Sequence, residues 1–219
     1  MNLHVSEGVE SVKSCINSRG TTPVRLLSEL EVLNPNWNLI HVTNIDSIEA
    51  KIIADFGANV ILCPVSNART GVGIPPFVDL IKNNVTITLG TDACSNNNSN
   101  NILNEAYFAN LLNNLVSNNS IYIGDDMLIK WLTTNAYKIL GINQSGMIDI
   151  GQPADLLLWS LSENSFVPIY NQNYYSSIFF NAPDIKPHTV FIKGKKVIDN
   201  YTFLLLNEMV LKQLINNNI

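Results

Sequence analysis

The chain has 219 residues, 46% of them hydrophobic, which is enough for one large core or two small ones and excludes a disordered chain. A formal net charge of −5 argues against a nucleic-acid or acidic-membrane surface, and no apolar run reaches the 18–20 or so residues that cross a bilayer. Three cysteines, Cys15, Cys63 and Cys94, lie far apart with no C-x-x-C spacing, so neither a disulfide framework nor a cysteine zinc site is expected, and a reducing, cytoplasmic compartment is.

In chain order, Asn2 to Val5 predicts a short strand. A helix follows with Val9, Val12 and Ile16 on one face and Gly20 as its stop. Pro23 opens a second helix with Leu26, Leu27, Leu30 and Leu33 as the buried side, closed by Asn34-Pro35. Leu39 to Val42 predicts a second strand. Asp46 and Glu49 then form a capping-box pattern for a helix with Ile48, Ile52 and Phe56 inward and Gly57 at its end. Asn59 to Pro64 predicts a third strand, Ser66 to Gly73 a loop, and Pro75-Pro76 the start of a helix through Ile81.

Val85 to Leu89 predicts a fourth, buried strand that runs through Gly90 and Thr91 to Asp92. A small polar loop, Ala93 to Asn98, precedes an apolar-periodic helix over Ile102 to Val116. A single further helix is expected from about Asp125 to Leu140, with Leu128, Trp131, Leu132 and Ile139 inward and Gly141 as cap. Strand–helix units repeated four times, with near-continuous apolar strands, imply a parallel sheet covered by helices. The character changes after residue 144. Met147 to Trp159 predicts a turn at Gly151 to Pro153 and a short strand. Thr189 to Ile198 predicts a hairpin with Gly194-Lys195 at its turn, and Phe203 to Leu214 an amphipathic helix.

Polar groups recur at the predicted strand C-termini: His4 and Glu7, His41, Ser66 and Asn67, Asp92. Alone, Asp92 could cap its loop, and each histidine could be a buried, hydrogen-bonded one. His188, after Lys186-Pro187, reads as surface structure. Together, imidazole and carboxylate are good ligands for a borderline divalent metal, and a neighbouring glutamate can move protons there.

The segments HVSE at 4–7, IHVTN at 40–44, CPVSNARTGVGIPP at 63–76, LGTDACSNNN at 89–98 and IGQPADLLLW at 150–159 occur in one order. That ordered set resembles the second half of the amidohydrolase superfamily, nearest to its chlorohydrolase and adenosine-type deaminase branch. The resemblance implies an α/β fold: strands 5–8 of a metal-dependent (β/α)8 TIM barrel over 1–144, part of a small β-sandwich over 145–200, and a terminal helix over 201–219. It implies a hydrolase of non-peptide C–N bonds, most simply a deaminase of an aminopurine-type heterocycle, with zinc as cofactor and iron as the alternative. His4 and Asp92 would hold the metal. Glu7, His41 and Asp92 would be catalytic, Glu7 as proton shuttle, His41 toward the reacting oxygen and Asp92 as base. Glu7 and His41 would also contact a small heterocyclic substrate. Ser66 and Asn67 match the loop after strand 7.

The pattern also departs from the family's. Asn96 stands where a serine is usual, and Tyr107 where an arginine is. No His-x-His pair occurs, and that pair would complete the metal site. Half a barrel is therefore expected to be absent, with weak or no metal binding by this chain alone. The expected partner is the missing N-terminal barrel half or a second copy, with no nucleic acid and no membrane. The alternative function is a non-catalytic remnant, or one half of a split enzyme, acting as a binding protein.

Overall fold

The structure, a computed structural model, describes residues 1–117, 122–142, 146–162, 166–167, 174–181, 185–204, 210 and 213. The chain divides into two compact units, Met1–Ser145 and Gly146–Ile219. Among the described residues no helix is long and apolar enough to cross a membrane.

The first unit is built on four parallel strands in the order β1 (Asn2–Val5), β2 (Asn38–His41), β3 (Asn59–Leu62) and β4 (Thr86–Leu89). Between them run α1 (Val9–Arg19), α2 (Pro23–Glu29), α3 (Ser47–Asp55), α4 (Pro64–Thr70) and α5 (Phe77–Lys82). After β4 come α6 (Cys94–Asn97), α7 (Ile102–Ser117), α8 (Asp125–Leu132) and α9 (Thr134–Ile139). Leu39, Val60, Leu62 and Ile87 are essentially inaccessible, as a sheet covered by helices requires. Edge strand β1 exposes its first three residues.

Register is pinned by an asparagine ladder. Asn2, Asn38 and Asn59 are aligned across the first three strands. Asn38 Nδ2 donates to Asn2 Oδ1 at 2.7 Å, and Asn59 Nδ2 donates to Asn38 Oδ1 at 3.1 Å. Asn59 Nδ2 also donates to the Pro35 carbonyl at 2.8 Å. A one-residue slip would break every link and turn the apolar face outward. With the N-terminal ends locked, the C-terminal ends bring their residues to one rim.

Several expectations are corrected. The stretch expected as a loop after β3 begins with helix α4. Pro64 sits in its first turn and Gly71 closes it in the left-handed conformation. Residues 94–97 likewise form a helical turn. The single helix expected over 125–140 breaks at Thr133 (φ −122°, ψ −89°), and beyond the break Asn135 Nδ2 donates to the Ile87 carbonyl of β4 at 2.7 Å.

Three helices depart from the burial that their apolar periodicity implies. No residue of α1 is buried, because it flanks the edge strand and has little to pack against. Around α2, Leu33 is buried as expected, but Leu26 is only half-buried, Leu30 is exposed, and the buried residue of the helix itself is Val24. In α3 the buried residues are Glu49, Ala50 and Ile53, whereas Ile48 is exposed. The α3 capping box itself is present as expected: Asp46 Oδ1 accepts from Glu49 N at 2.8 Å, and Asp46 N donates to Glu49 Oε2 at 3.0 Å.

The second unit carries an antiparallel sheet in the order β5 (Leu156–Leu158), β6 (Thr189–Ile192), β7 (Lys195–Asp199) and β8 (Thr202–Phe203), with α10 at Tyr174–Phe180. The hairpin between β6 and β7 turns at Lys193-Gly194, one residue earlier than expected. A second tight turn sits at Asn200-Tyr201, and all four turn residues have positive φ, the pattern that matches strand twist in two-residue hairpins. Of the helix expected over Phe203 to Leu214, Phe203 is in β8. Most of the rest lies outside the described residues.

Candidate functional site

Four polar side chains gather at the C-terminal ends of the strands in the first unit, where parallel α/β folds place their reactive groups. His4 lies near the end of β1 and is exposed. Glu7 follows two residues after that strand and is partly exposed. His41 ends β2 and is fully buried. Asp92 lies three residues past β4.

The backbone there is strained. Ser6, His41, Val42 and Asp92 all have φ between 43° and 74°. For non-glycine residues this costs about 1–3 kcal/mol each, and a β-branched valine is an unusual occupant. The surrounding bonds hold these conformations in place. Asn44 N donates to the Ser6 carbonyl at 2.8 Å. Asn44 Nδ2 donates to the Glu7 carbonyl at 2.6 Å and to the Val72 carbonyl at 3.1 Å.

His41 is oriented from behind. Its Nδ1 donates to Asn67 Oδ1 at 2.8 Å, and Asn67 Nδ2 in turn donates to Thr43 Oγ1 at 3.1 Å. With Nδ1 committed, His41 presents Nε2 to the rim. That atom is a lone pair in the neutral ring and an N–H in the imidazolium. Nε2 lies 3.1 Å from His4 Nδ1 and 3.8 Å from Glu7 Oε1.

Among the described residues, His4, Glu7 and His41 form a group whose ligating atoms all lie within 4.8 Å of one another. A tetrahedral zinc with bonds of about 2.0 Å has ligand–ligand edges of about 3.3 Å, a value the two His41 distances bracket. Two imidazoles and a carboxylate also suit a borderline divalent ion chemically. The donor set therefore fits such an ion.

Asp92 is held separately. Ser66 Oγ and Asn96 Nδ2 donate to Oδ2 at 2.6 and 3.0 Å, and Ala93 N donates to Oδ1 at 2.7 Å. Burial opposes its ionisation. The bonds from Ser66, Asn96 and Ala93, together with the nearby His41, outweigh burial and hold the carboxyl below its ordinary range. Cys63 lies near this rim, but burial first, and then the charges of Asp92, Glu105 and Glu7, push its thiol up to about 12, so it stays protonated and is no nucleophile.

Two features escaped the sequence reading. Asn67 orients His41, a role that its strand-end position and loop motif do not announce. Glu105 is inaccessible in the first turn of α7, where its carboxylate accepts from Val65 N at 3.0 Å and Asn97 Nδ2 at 2.5 Å. The available signal was the α7 pattern itself. Its buried face is Glu105, Ala106, Ala109, Asn110, Asn113 and Ser117, while Leu111, Leu115 and Val116 are exposed. His188 lies in the second unit, with Nδ1 2.8 Å from Thr189 Oγ1.

The chain is 30% identical over 208 residues to a 5-methylthioadenosine/S-adenosylhomocysteine deaminase of Pyrococcus furiosus, covering 95% of this chain and 49% of the relative. It is 26% identical over 208 residues to a 5'-deoxyadenosine deaminase of Methanosarcina acetivorans, covering 95% and 48%. The chain thus spans about half the length of these relatives. An adenosine deaminase of Xanthomonas campestris, solved with bound zinc, superposes with a TM-score of 0.92 at 24% identity over 99% of this chain and 49% of that one. The zinc complex of an Arthrobacter aurescens atrazine chlorohydrolase superposes with a TM-score of 0.86 at 19% identity, over 99% and 47%. These likenesses identify the fold as α/β and part of a barrel of the TIM type. The amidohydrolase family model matches residues 1–197, nine-tenths of the sequence. Strand-end chemistry, fold and sequence agree: the chain belongs to the amidohydrolase family.

Proposed function

We propose that this chain carries part of the active site of a metal-dependent hydrolase of non-peptide C–N bonds, and that the reaction is deamination of an aminopurine-type heterocycle. The observation that carries the reading is the convergence of His4, Glu7 and His41 within 4.8 Å at the strand ends. The activities of the two deaminase relatives support the substrate class, and the zinc in the two related structures supports zinc as the ion. On this reading the four strands correspond to strands 5–8 of the barrel.

His4 is a ligand in either of two donor sets. The family resemblance pairs it with Asp92, and the geometry pairs it with Glu7 and His41. A bound divalent ion supplies Lewis acidity to the site. Where His4 and Asp92 hold the ion, Glu7 and His41 stay free and the residues supply the rest. Asp92, ionised at neutral pH, takes a proton from the attacking water as the new C–O bond forms. Glu7 delivers a proton to the ring nitrogen beside that carbon. His41, fixed by Asn67, directs Nε2 at the developing oxygen charge. The proton taken by Asp92 passes to the amine, the C–N bond breaks and ammonia leaves, and the hydroxyl proton returns to Glu7 as the ring carbonyl forms.

Two measurements test this. Zinc titration of the chain should show weak binding that His4→Ala abolishes, with Glu7→Gln and Asp92→Asn deciding between the donor sets. The full-length protein should release ammonia from 5'-methylthioadenosine or a related 6-aminopurine nucleoside. Zinc binding indifferent to His4, with no ammonia from any aminopurine, would refute the proposal.

A further inference from the structure

Two segments reach the carboxylate of Asp92. Ser66, in the first turn of α4, and Asn96, in α6, both donate to Oδ2, at 2.6 and 3.0 Å. Each lies one residue from a group bonded to Glu105. Val65 N donates to Glu105 Oε2 at 3.0 Å, and Asn97 Nδ2 donates to Oε1 at 2.5 Å. Asn97 Nδ2 also donates to the Thr91 carbonyl at 2.7 Å, and Arg69 Nη1 donates to the Asn97 carbonyl at 3.1 Å. One inaccessible carboxylate thus ties together both segments that grip Asp92.

A buried carboxylate is a costly way to fill space, since an apolar side chain of similar volume packs a helix without desolvating a charge. Here both oxygens are used, and each partner is adjacent in sequence to a donor of Asp92. We propose that Glu105 is a positioning residue: it holds Ser66 and Asn96 against Asp92 and so fixes how that carboxylate is presented at the rim. The functional weight of this rests on the reading of Asp92 given above. The network itself does not.

The test uses nitrogen-15 NMR of the full chain and reads the Asn96 side-chain amide, which bonds Asp92 and makes no bond to Glu105. Asp92→Asn supplies the reference position for loss of that acceptor. In Glu105→Gln the Asn96 amide should shift toward the reference. Glu105→Met, which removes the buried charge, should give the same shift and keeps the test usable where Gln destabilises the fold. Glu49→Gln is the control for a merely structural loss. Glu49 is the other buried glutamate of the first unit, bonded to Thr22 Oγ1 and Asp46 N, and its variant should leave Asn96 unmoved at a matched loss of Tm. An Asn96 amide that stays in place in the Glu105 variants, or moves equally in Glu49→Gln, overturns the proposal. Zinc and ammonia do not enter the readout, so failure of the enzymatic reading and failure of this one are separable.

Discussion

The two ends of the parallel sheet are made from the same strands and do opposite things with polar side chains. At the N-terminal ends, Asn2, Asn38 and Asn59 bond to one another and to backbone carbonyls, and no titratable group takes part in the ladder. At the C-terminal ends, His4, Glu7 and His41 crowd together, Asp92 lies at the same rim, and Ser6, His41, Val42 and Asp92 are held at positive φ. Neutral amides that satisfy each other stabilise a register. Ionisable groups held close, on strained backbone, keep unspent capacity for a proton or an ion. A parallel sheet separates these tasks because every strand ends at the same side.

Substitutions can break that contrast. The largest effect is expected for Asp92→Asn in the full-length protein: a loss of about 10²–10⁴-fold in ammonia release, the range of a missing general base, beside a smaller fall in thermal midpoint from the lost carboxylate bonds. The opposite end should behave in reverse. Asn38→Ala cuts the link between Asn2 and Asn59, leaving Asn59 its Pro35 partner, and should cost about 1 kcal/mol in denaturant unfolding while zinc binding stays as it was. Asp46→Ala sits on the reactive side but touches only the α3 cap and the partly exposed guanidinium of Arg25. It should cost about 1 kcal/mol with no change in zinc binding, which separates location at the rim from participation in it.

The finest distinction is in pH. Burial raises the carboxyl pKa of Glu105, the bonds from Val65 and Asn97 oppose it, and the charge of Asp92 adds to the rise. The folded state therefore holds this proton to higher pH than the unfolded state does. The contribution is most favourable below about pH 4.5 and is lost as pH rises through the folded value. Asp92 has the opposite sign: its contribution is present above its ordinary value and lost as pH falls through the lowered one. Unfolding free energies measured across pH 3–7 should show Glu105→Gln lacking the first slope and keeping the second.

Much of the fold was legible in the residues. Alternating helix and strand signals mark a parallel sheet, and the Asp46–Glu49 spacing marks a cap that forms as written. The strand-end positions of His4, His41 and Asp92 were visible because polar residues follow short apolar runs. The helix α4 was not legible, because Ser66-Asn67-Ala68-Arg69-Thr70 has weak helical preference. One of the amides in its first turn, Val65 N, bonds to Glu105, 40 residues away. Nor were the inward faces of α2 and α3, where apolar spacing pointed to Leu30 and Ile48, which the fold leaves at the surface, nor was the lack of any buried residue in α1.

By itself, then, the sequence determined what is local: the order of strands and helices, their caps, and which chemical groups end each strand. Periodicity and capping act within one or two turns of chain, so one segment suffices to read them. The tertiary structure alone decided which helix faces are covered, which nitrogen of His41 faces the rim, and that Glu105 joins the two segments holding Asp92. Those outcomes depend on contacts 26 to 40 residues apart, and no local pattern encodes a partner that only folding brings near.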